Sequence, residues 1–254
     1  MTADVYLYDD PSLHDVFLPF AVSRPLGELR YGAFLLRERW SAALKRPVAG
    51  LLTAPHLADF VEPGTPPVVD RPGEPNLARL VFLSTFVPAA EAGLPDDVTE
   101  PACFTDAGGA LVGLALPRRS EWPGWRMPEG WTKVALPGKR LAGVWDLIGD
   151  LNAVLAADLG ALLAEHGPGT VPRGVTVLGD PALVAVGEAA VEPNVLLDVR
   201  GGPIVLSPGV EVAAFTRLVG PLAVARDTRI AGGKVGGSAI GPRCVVHGEV
   251  AASV

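Results

Sequence analysis

The sequence predicts two fold classes in one chain, an α/β region at the N-terminus and an all-β region at the C-terminus, joined by a long helix. Three patterns support this. Short aliphatic runs broken by Pro, Gly and Asp fill residues 1–142, apolar residues then keep helical spacing within 143–170, and 171–254 returns to short aliphatic runs at a regular interval. We therefore expect an α/β domain at 1–142, a linker helix at 143–170 and a repeat domain at 171–254. The 254 residues suffice for two domains that each bury a core.

Glycine (30) and proline (25) are abundant, yet 49% of residues are hydrophobic, so the breakers punctuate short folded elements rather than a disordered chain. A formal charge of −7 argues against nucleic acid and anionic membrane surfaces as partners, while a small anion can still meet a local cluster of arginines. Cys103 and Cys244 lack C-x-x-C spacing, which fits a reducing compartment. The opening MTADVYLYDD carries acids where a signal peptide carries bases, and no apolar run has membrane-spanning length. A cytoplasmic protein is expected.

Val5 to Tyr8 reads as a first strand that runs into Asp9-Asp10-Pro11, with no glycine-rich loop after it. Ligands of open α/β sheets gather at such carboxyl ends. Asp9 and Asp10 therefore either hold a metal or a sugar hydroxyl, or cap the segment Ser12 to Phe17. Ser23 to Trp40, SRPLGELRYGAFLLRERW, reads as a proline-started turn and an amphipathic helix capped by Ser23, with Leu29, Ala33, Leu36 and Trp40 toward a core. Arg30 and Arg37 then share another face, and Arg24 stands at the helix mouth, where N–H groups and the dipole favour an anion. The competing reading is a solvated arginine face.

Val48 to Leu52 and Val68-Val69-Asp70 predict further buried strands on either side of a Pro/Gly-rich connection at 62–67. His56, in TAPH, has no ligand-spaced partner in sequence and reads as a surface residue. NLARLVFL passes from polar Asn76 and Arg79 into an apolar strand, which would present both side chains at its edge. Asp106 to Gly109 turns a hairpin between Ala102–Thr105 and Ala110–Leu116. Trp122, Trp125 and Trp131 either stack on a base or sugar, or anchor a long loop.

From Gly143 to His166, Leu147/Ile148, Leu151, Leu155, Leu159 and Leu162 keep helical spacing until Gly167-Pro168-Gly169. Asp146 and Asp150 share a face of that helix and either bind a cation or answer its dipole. Beyond Val171, VAVGE, IVLSP, LAVAR and SAIGP begin at Val184, Ile204, Leu222 and Ser238, an interval of about 18 residues, or three hexapeptides.

This period resembles the hexapeptide-repeat, left-handed parallel β-helix, in which each six-residue side turns one aliphatic group into a triangular prism. In hexapeptide-repeat acyltransferases a histidine serves as base between neighbouring coils of a trimer. The histidine of this repeat, His247, has no matching motif around it and reads as a solvent-facing corner residue. The sequence stops at Val254 in mid-pattern, so the β-helix is expected to be incomplete at that end, covered by oligomerisation or shortened relative to its relatives.

SRPLGELRYG with LLRERW, then WDLIGDLN, then coils containing GPI, GPL and IGPRCVVHGEV together resemble a divergent bacterial sugar nucleotidyltransferase family. That family is related to the bifunctional N-acetylglucosamine-1-phosphate uridyltransferase/glucosamine-1-phosphate acetyltransferase. The resemblance implies a nucleotide-diphospho-sugar-transferase-like α/β domain, a trimerising left-handed β-helix, and transfer of a nucleotidyl group from an NTP to a sugar 1-phosphate with Mg²⁺. It further implies Arg24 and Arg30 as catalytic phosphate-binding residues, Asn76, Arg79 and Asn152 as substrate-binding residues, and Asp146 and Asp10 as metal ligands. Typical members follow the first strand with a G-x-G-T-R loop, where this sequence has Asp9-Asp10-Pro11. Two alternatives accompany this reading: a non-catalytic sugar-nucleotide-binding or assembly protein, and an amino-sugar acyltransferase fragment.

Overall fold

The computed structural model describes residues 2–89, 92–95 and 97–254. The chain forms two compact units, one comprising Met1–Leu29 and Leu35–Asp146, the other Arg30–Phe34 and Leu147–Val254. This division places the long helix inside the second unit.

A six-stranded mixed sheet organises the first unit, in the spatial order Val48–Leu52, Asp4–Tyr8, Arg79–Leu83, Leu111–Leu116, Ala102–Thr105 and Thr132–Ala135. Asp4–Tyr8 runs parallel to both neighbours, and Leu111–Leu116 is antiparallel to both of its own. All five residues of Arg79–Leu83 are buried because both faces of this central strand are covered, which explains its unbroken apolar run. Trp40 covers one face, stacked on Phe82 with ring centroids 4.1 Å apart. Trp122, Trp125 and Trp131 pack against Tyr6, Leu52, Val81 and Leu116 in a separate cluster. Gly113 leaves room for the rings of the first cluster: a Cβ there would collide with Phe82.

Ser23 to Trp40 is not one helix. A short helix, Phe20–Ser23, is followed by a 3₁₀ turn at Leu26–Glu28, the two-residue strands Arg30–Tyr31 and Phe34–Leu35, and a helix at Leu36–Leu44. Gly32, at φ 66°, makes the break, a backbone geometry that glycine adopts without steric cost. Ser23 Oγ donates to the Phe20 carbonyl, within its own helix, and does not cap the Leu26–Glu28 turn. Leu29, Leu36 and Trp40 are nevertheless buried. Arg37 does not share a helix face with Arg30; it donates from Nε to buried Glu28 at 2.6 Å. Val68 makes one isolated bridge to Leu51 rather than a strand.

In the second unit, the helix begins at Leu151, after a 3₁₀ turn at Val144–Leu147, and ends at His166. Leu151 and Leu155 bury against Ala239, with Ala33 and Ala223 packed beside them. The segment Arg30–Phe34 is tied to this helix: Tyr31 donates to Asp150 at 2.9 and 3.0 Å, and the Ala33 amide donates to Asp158 at 2.9 Å. The Asp146 carboxylate accepts the Ala142 amide at 2.6 Å within the first unit.

The remainder of this unit is parallel strand pairing in a curled sheet. Val184 pairs with Ile204, Ile204 with Leu222 and Leu222 with Ser238, which is the register of the four segments aligned in the sequence. Two further ladders complete each circuit of the chain. Thr176, Leu196, Arg217, Lys234 and Glu249 follow one another along the first, and Ala190, Glu211, Arg229 and Val245 along the second. Val184, Ile204, Leu222, Val224 and Ile230 are essentially inaccessible, so each circuit adds aliphatic side chains to one continuous core. Thr216, a polar interruption of the aliphatic pattern, is buried with its hydroxyl donating to the Ala213 carbonyl at 2.6 Å. His247 faces solvent between Val245–Val246, which pair in the second ladder, and Gly248 to Ala251, which pair in the first, in keeping with a solvent-facing corner. Among the described residues, no helix is long and apolar enough to cross a membrane.

Candidate functional site

The chain turns polar where Asp4–Tyr8 and Val48–Leu52 end side by side. A cavity of about 680 Å³ opens there, lined by Tyr8, Asp9, Asp10, Leu52 and Thr53 from the strand ends and by loop residues around them. Asp4–Tyr8 and Val48–Leu52 are parallel, and the carboxyl ends of parallel strands are where open α/β sheets collect ligands. The volume suits a small organic ligand.

Asp9 shapes one wall from behind. Its Oδ2 accepts the Thr53 hydroxyl at 2.6 Å and the Leu26 amide at 2.9 Å, fastening the Pro25–Glu28 turn to the strand end. Burial pushes its carboxyl above the ordinary range, while hydrogen bonds from its neighbours pull it part-way back. Asp10 turns one oxygen to the Ser12 amide at 2.9 Å and caps the 3₁₀ turn Pro11–Leu13. The capping alternative thus holds for Asp10, with its other oxygen not engaged in that cap.

Tyr8 stacks on Trp125, centroids 4.6 Å apart at 16°, and Trp122 inclines toward Tyr8 at 6.4 Å. Burial, then the Asp10 and Asp9 carboxylates, raise the Tyr8 phenol, which keeps it a neutral donor. Tyr8 and Trp122 both line the cavity, so the tryptophan loop anchors to the sheet and also supplies an aromatic wall. Arg24 lines the cavity too, half-exposed and donating to Glu62 at 3.1 Å.

His14 and His56 meet edge to face, ring centroids 5.9 Å apart, and both line the cavity. His56 is exposed, as the sequence suggested, but it is not isolated. Its partner stands across two loops, and no local spacing signals that contact.

The residues expected from the sequence do not all converge. Arg24 and Asp10 share the cavity lining. Arg30 belongs to the second unit, where its guanidinium donates to the Ala33 carbonyl. Asn76 is exposed in the turn before the third sheet strand. Arg79 is buried at 1% exposure rather than presented at a strand edge, and donates to the carbonyls of Pro72, at 3.2 Å, and Ser120. It clamps two loops. Asn152 lines a different cavity, of about 650 Å³, inside the second unit with Gly201, Lys234 and Glu249. Asp146 is not among the residues lining the first cavity. Among the described residues, no group of three or more His, Cys, Asp or Glu side chains is placed to hold a metal ion.

The sequence profile described as sugar nucleotidyl transferase matches residues 5–166. The chain belongs to the sugar nucleotidyl transferase family. A comparison with curated proteins returned no match. Every residue lining the 680 Å³ cavity falls inside the span matched by the sugar nucleotidyl transferase profile, and so does the helix Leu151–His166.

Proposed function

We propose that the first unit transfers a nucleotidyl group from an NTP to a sugar 1-phosphate. The carrying observation is the coincidence, within one cavity of a sugar nucleotidyl transferase family member, of an aromatic wall, an arginine and the carboxyl ends of parallel strands. Tyr8 and Trp122 offer flat apolar faces to a nucleobase. Arg24 exchanges Glu62 for phosphate oxygens, a charge-assisted contact whose fork geometry matches phosphate. An oxygen of the sugar phosphate then attacks the α-phosphorus, the bond from that phosphorus to the β-bridging oxygen breaks, and pyrophosphate leaves. Positioning and charge stabilisation carry most of such a reaction.

Asp10, Asp15 and Asp70 line the same cavity, so a bare triphosphate would be repelled. The donor set fits Mg²⁺ as part of the nucleotide complex, because that ion commonly takes one or two carboxylates together with substrate phosphates. Asp10, whose second oxygen is outside its cap, and Asp70 are the residues that would hold it. Bound there, Mg²⁺ offsets phosphate charge.

For the second unit, the supported reading is a left-handed parallel β-helix of hexapeptide repeats that joins three copies of the chain. Three ladders with a regular circuit favour it. Light scattering on purified protein should give three times the chain mass; a monomer would remove the trimer.

A release assay for pyrophosphate, run with each NTP against a set of sugar 1-phosphates and Mg²⁺, tests the activity. Turnover is expected with one pairing above the others. Nucleotide-sugar binding without turnover for any pair would instead favour a binding protein, the reading suggested by Asp9-Asp10-Pro11 standing where a glycine loop is usual.

A further inference from the structure

We infer that His14 and His56 form the polyphosphate-binding edge of the cavity, taking over work that a glycine-rich loop performs through backbone N–H groups. This rests on the nucleotide reading of the cavity and assigns the part of the nucleotide that meets these two rings. Polyphosphate recognition requires N–H or O–H donors, and the cavity lining offers few. Its side-chain nitrogen donors are Arg24, His14, His56 and Trp122. Trp122 belongs to the aromatic wall, the Thr53 hydroxyl is spent on Asp9, and Arg24 supplies one guanidinium once it exchanges Glu62 for phosphate. One guanidinium does not span a chain of phosphates, and the histidine pair adds the further ring N–H donors on the same lining.

The local folding holds the two rings in place for this. His14 lies between the 3₁₀ turns Pro11–Leu13 and Asp15–Phe17, directly after the Asp10 cap. His56 sits in the 3₁₀ turn Pro55–Leu57 that comes after Thr53. Two short turns, each starting at the end of a parallel strand, thus carry one ring apiece to the same rim, and the edge-to-face contact orients them. His14 Nδ1 faces Asp15 Oδ1 at 3.4 Å, which leaves its Nε2 for a ligand. Asp9, Asp10, Asp15 and Asp70 are the acids of the same lining, and Arg24 with Glu62 the neighbouring ion pair. Without the histidines this is a net acidic pocket. With both rings donating, one edge becomes a receptor for a chain of phosphates.

The test uses inorganic tripolyphosphate with Mg²⁺ as probe, titrated into the full chain and into His14→Phe/His56→Phe. Phenylalanine keeps the ring packing and removes every nitrogen. The double variant should bind the probe at least about tenfold more weakly, the loss expected for charge-assisted hydrogen bonds, while affinity for an uncharged nucleoside is unchanged. His14→Lys/His56→Lys should recover most of the lost affinity, which a purely packing role would not allow. Equal affinity of the phenylalanine variant and the parent, or no binding of tripolyphosphate by the parent, overturns the inference. Tripolyphosphate binding that depends on the histidines, in a protein with no nucleotidyl transfer, supports the inference while refuting the catalytic reading.

Discussion

Two aspartates, half-buried Asp9 in one unit and buried Asp198 in the other, are handled in opposite ways. Asp9, in the sheet unit, is enclosed with neutral donors around its Oδ2, and burial raises its carboxyl above the ordinary range. Asp198, in the ladder unit, is bridged by Arg200 at 2.8 Å and Arg217 at 2.7 Å, whose hydrogen bonds hold its carboxyl well below that range. The ladder unit neutralises its acid where it stands. The sheet unit keeps an acid without a cation on the edge where chain segments meet around a cavity, which destabilises the fold locally and shapes a site. Strain of this kind collects where a protein binds or reacts.

The largest expected effects compare the two cores. Trp40→Ala should destabilise the sheet unit by about 3–5 kcal/mol, because a large ring leaves a gap against Phe82. Leu222→Ala should cost the ladder unit about 2–5 kcal/mol. Chemical denaturation tracked by near-ultraviolet signals reads both. A loss under about 1 kcal/mol at either site would mean that the surrounding residues collapse into the space.

The two aspartates sharpen the contrast next. Asp9→Ala leaves the Leu26 amide and the Thr53 hydroxyl without their acceptor and should cost about 2–3 kcal/mol. Asp9→Asn keeps an acceptor, sheds the burial cost of a charge, and should equal or exceed the parent in stability at neutral pH. The two carboxyls respond to pH with opposite sign. Asp9, raised in the folded state, contributes stability that is full below the unfolded carboxylate value and is lost as pH rises through the folded one. Asp198, depressed, contributes stability above the unfolded value that is lost as pH falls through the folded one. The fall in melting temperature as pH rises from the unfolded carboxylate value to the raised folded one should therefore shrink in Asp9→Asn, and the fall as pH drops below the unfolded value should shrink in Asp198→Asn. Parallel profiles for parent and variant would contradict the assigned environment.

Smaller effects belong to the site. Arg24→Ala should lower kcat/KM for the nucleotide by about 10- to 100-fold through one charge-assisted phosphate contact, with the melting temperature nearly unchanged. Trp122→Ala should raise KM for the NTP by roughly tenfold, the loss of one stacking face, and leave KM for the sugar phosphate alone.

Local patterns made much of the fold readable. Asp4–Tyr8, Val48–Leu52 and the hairpin of Ala102–Thr105 with Leu111–Leu116 show as aliphatic runs between turn residues, and the ladder register shows as a repeat because each circuit must supply the same core. The stretch Ser23 to Trp40 misled because burial at Leu29, Leu36 and Trp40 mimics helical spacing, while one left-handed glycine redirects the chain. Site residues were harder. Arg24 and Asp10 stand next to motifs that attract attention, but the His14–His56 contact joins loops remote in sequence, and the burial of Arg79 depends on carbonyls from two loops. Such convergence is tertiary and leaves no spacing to count.

Calorimetric titration of each Mg²⁺–NTP into the full chain and into Arg24→Ala addresses the cavity most directly. One nucleotide should bind one site per chain, with at least about tenfold weaker binding in the variant. Absence of binding for all four nucleotides, or an affinity indifferent to Arg24, would contradict the assignment of this cavity to the nucleotide.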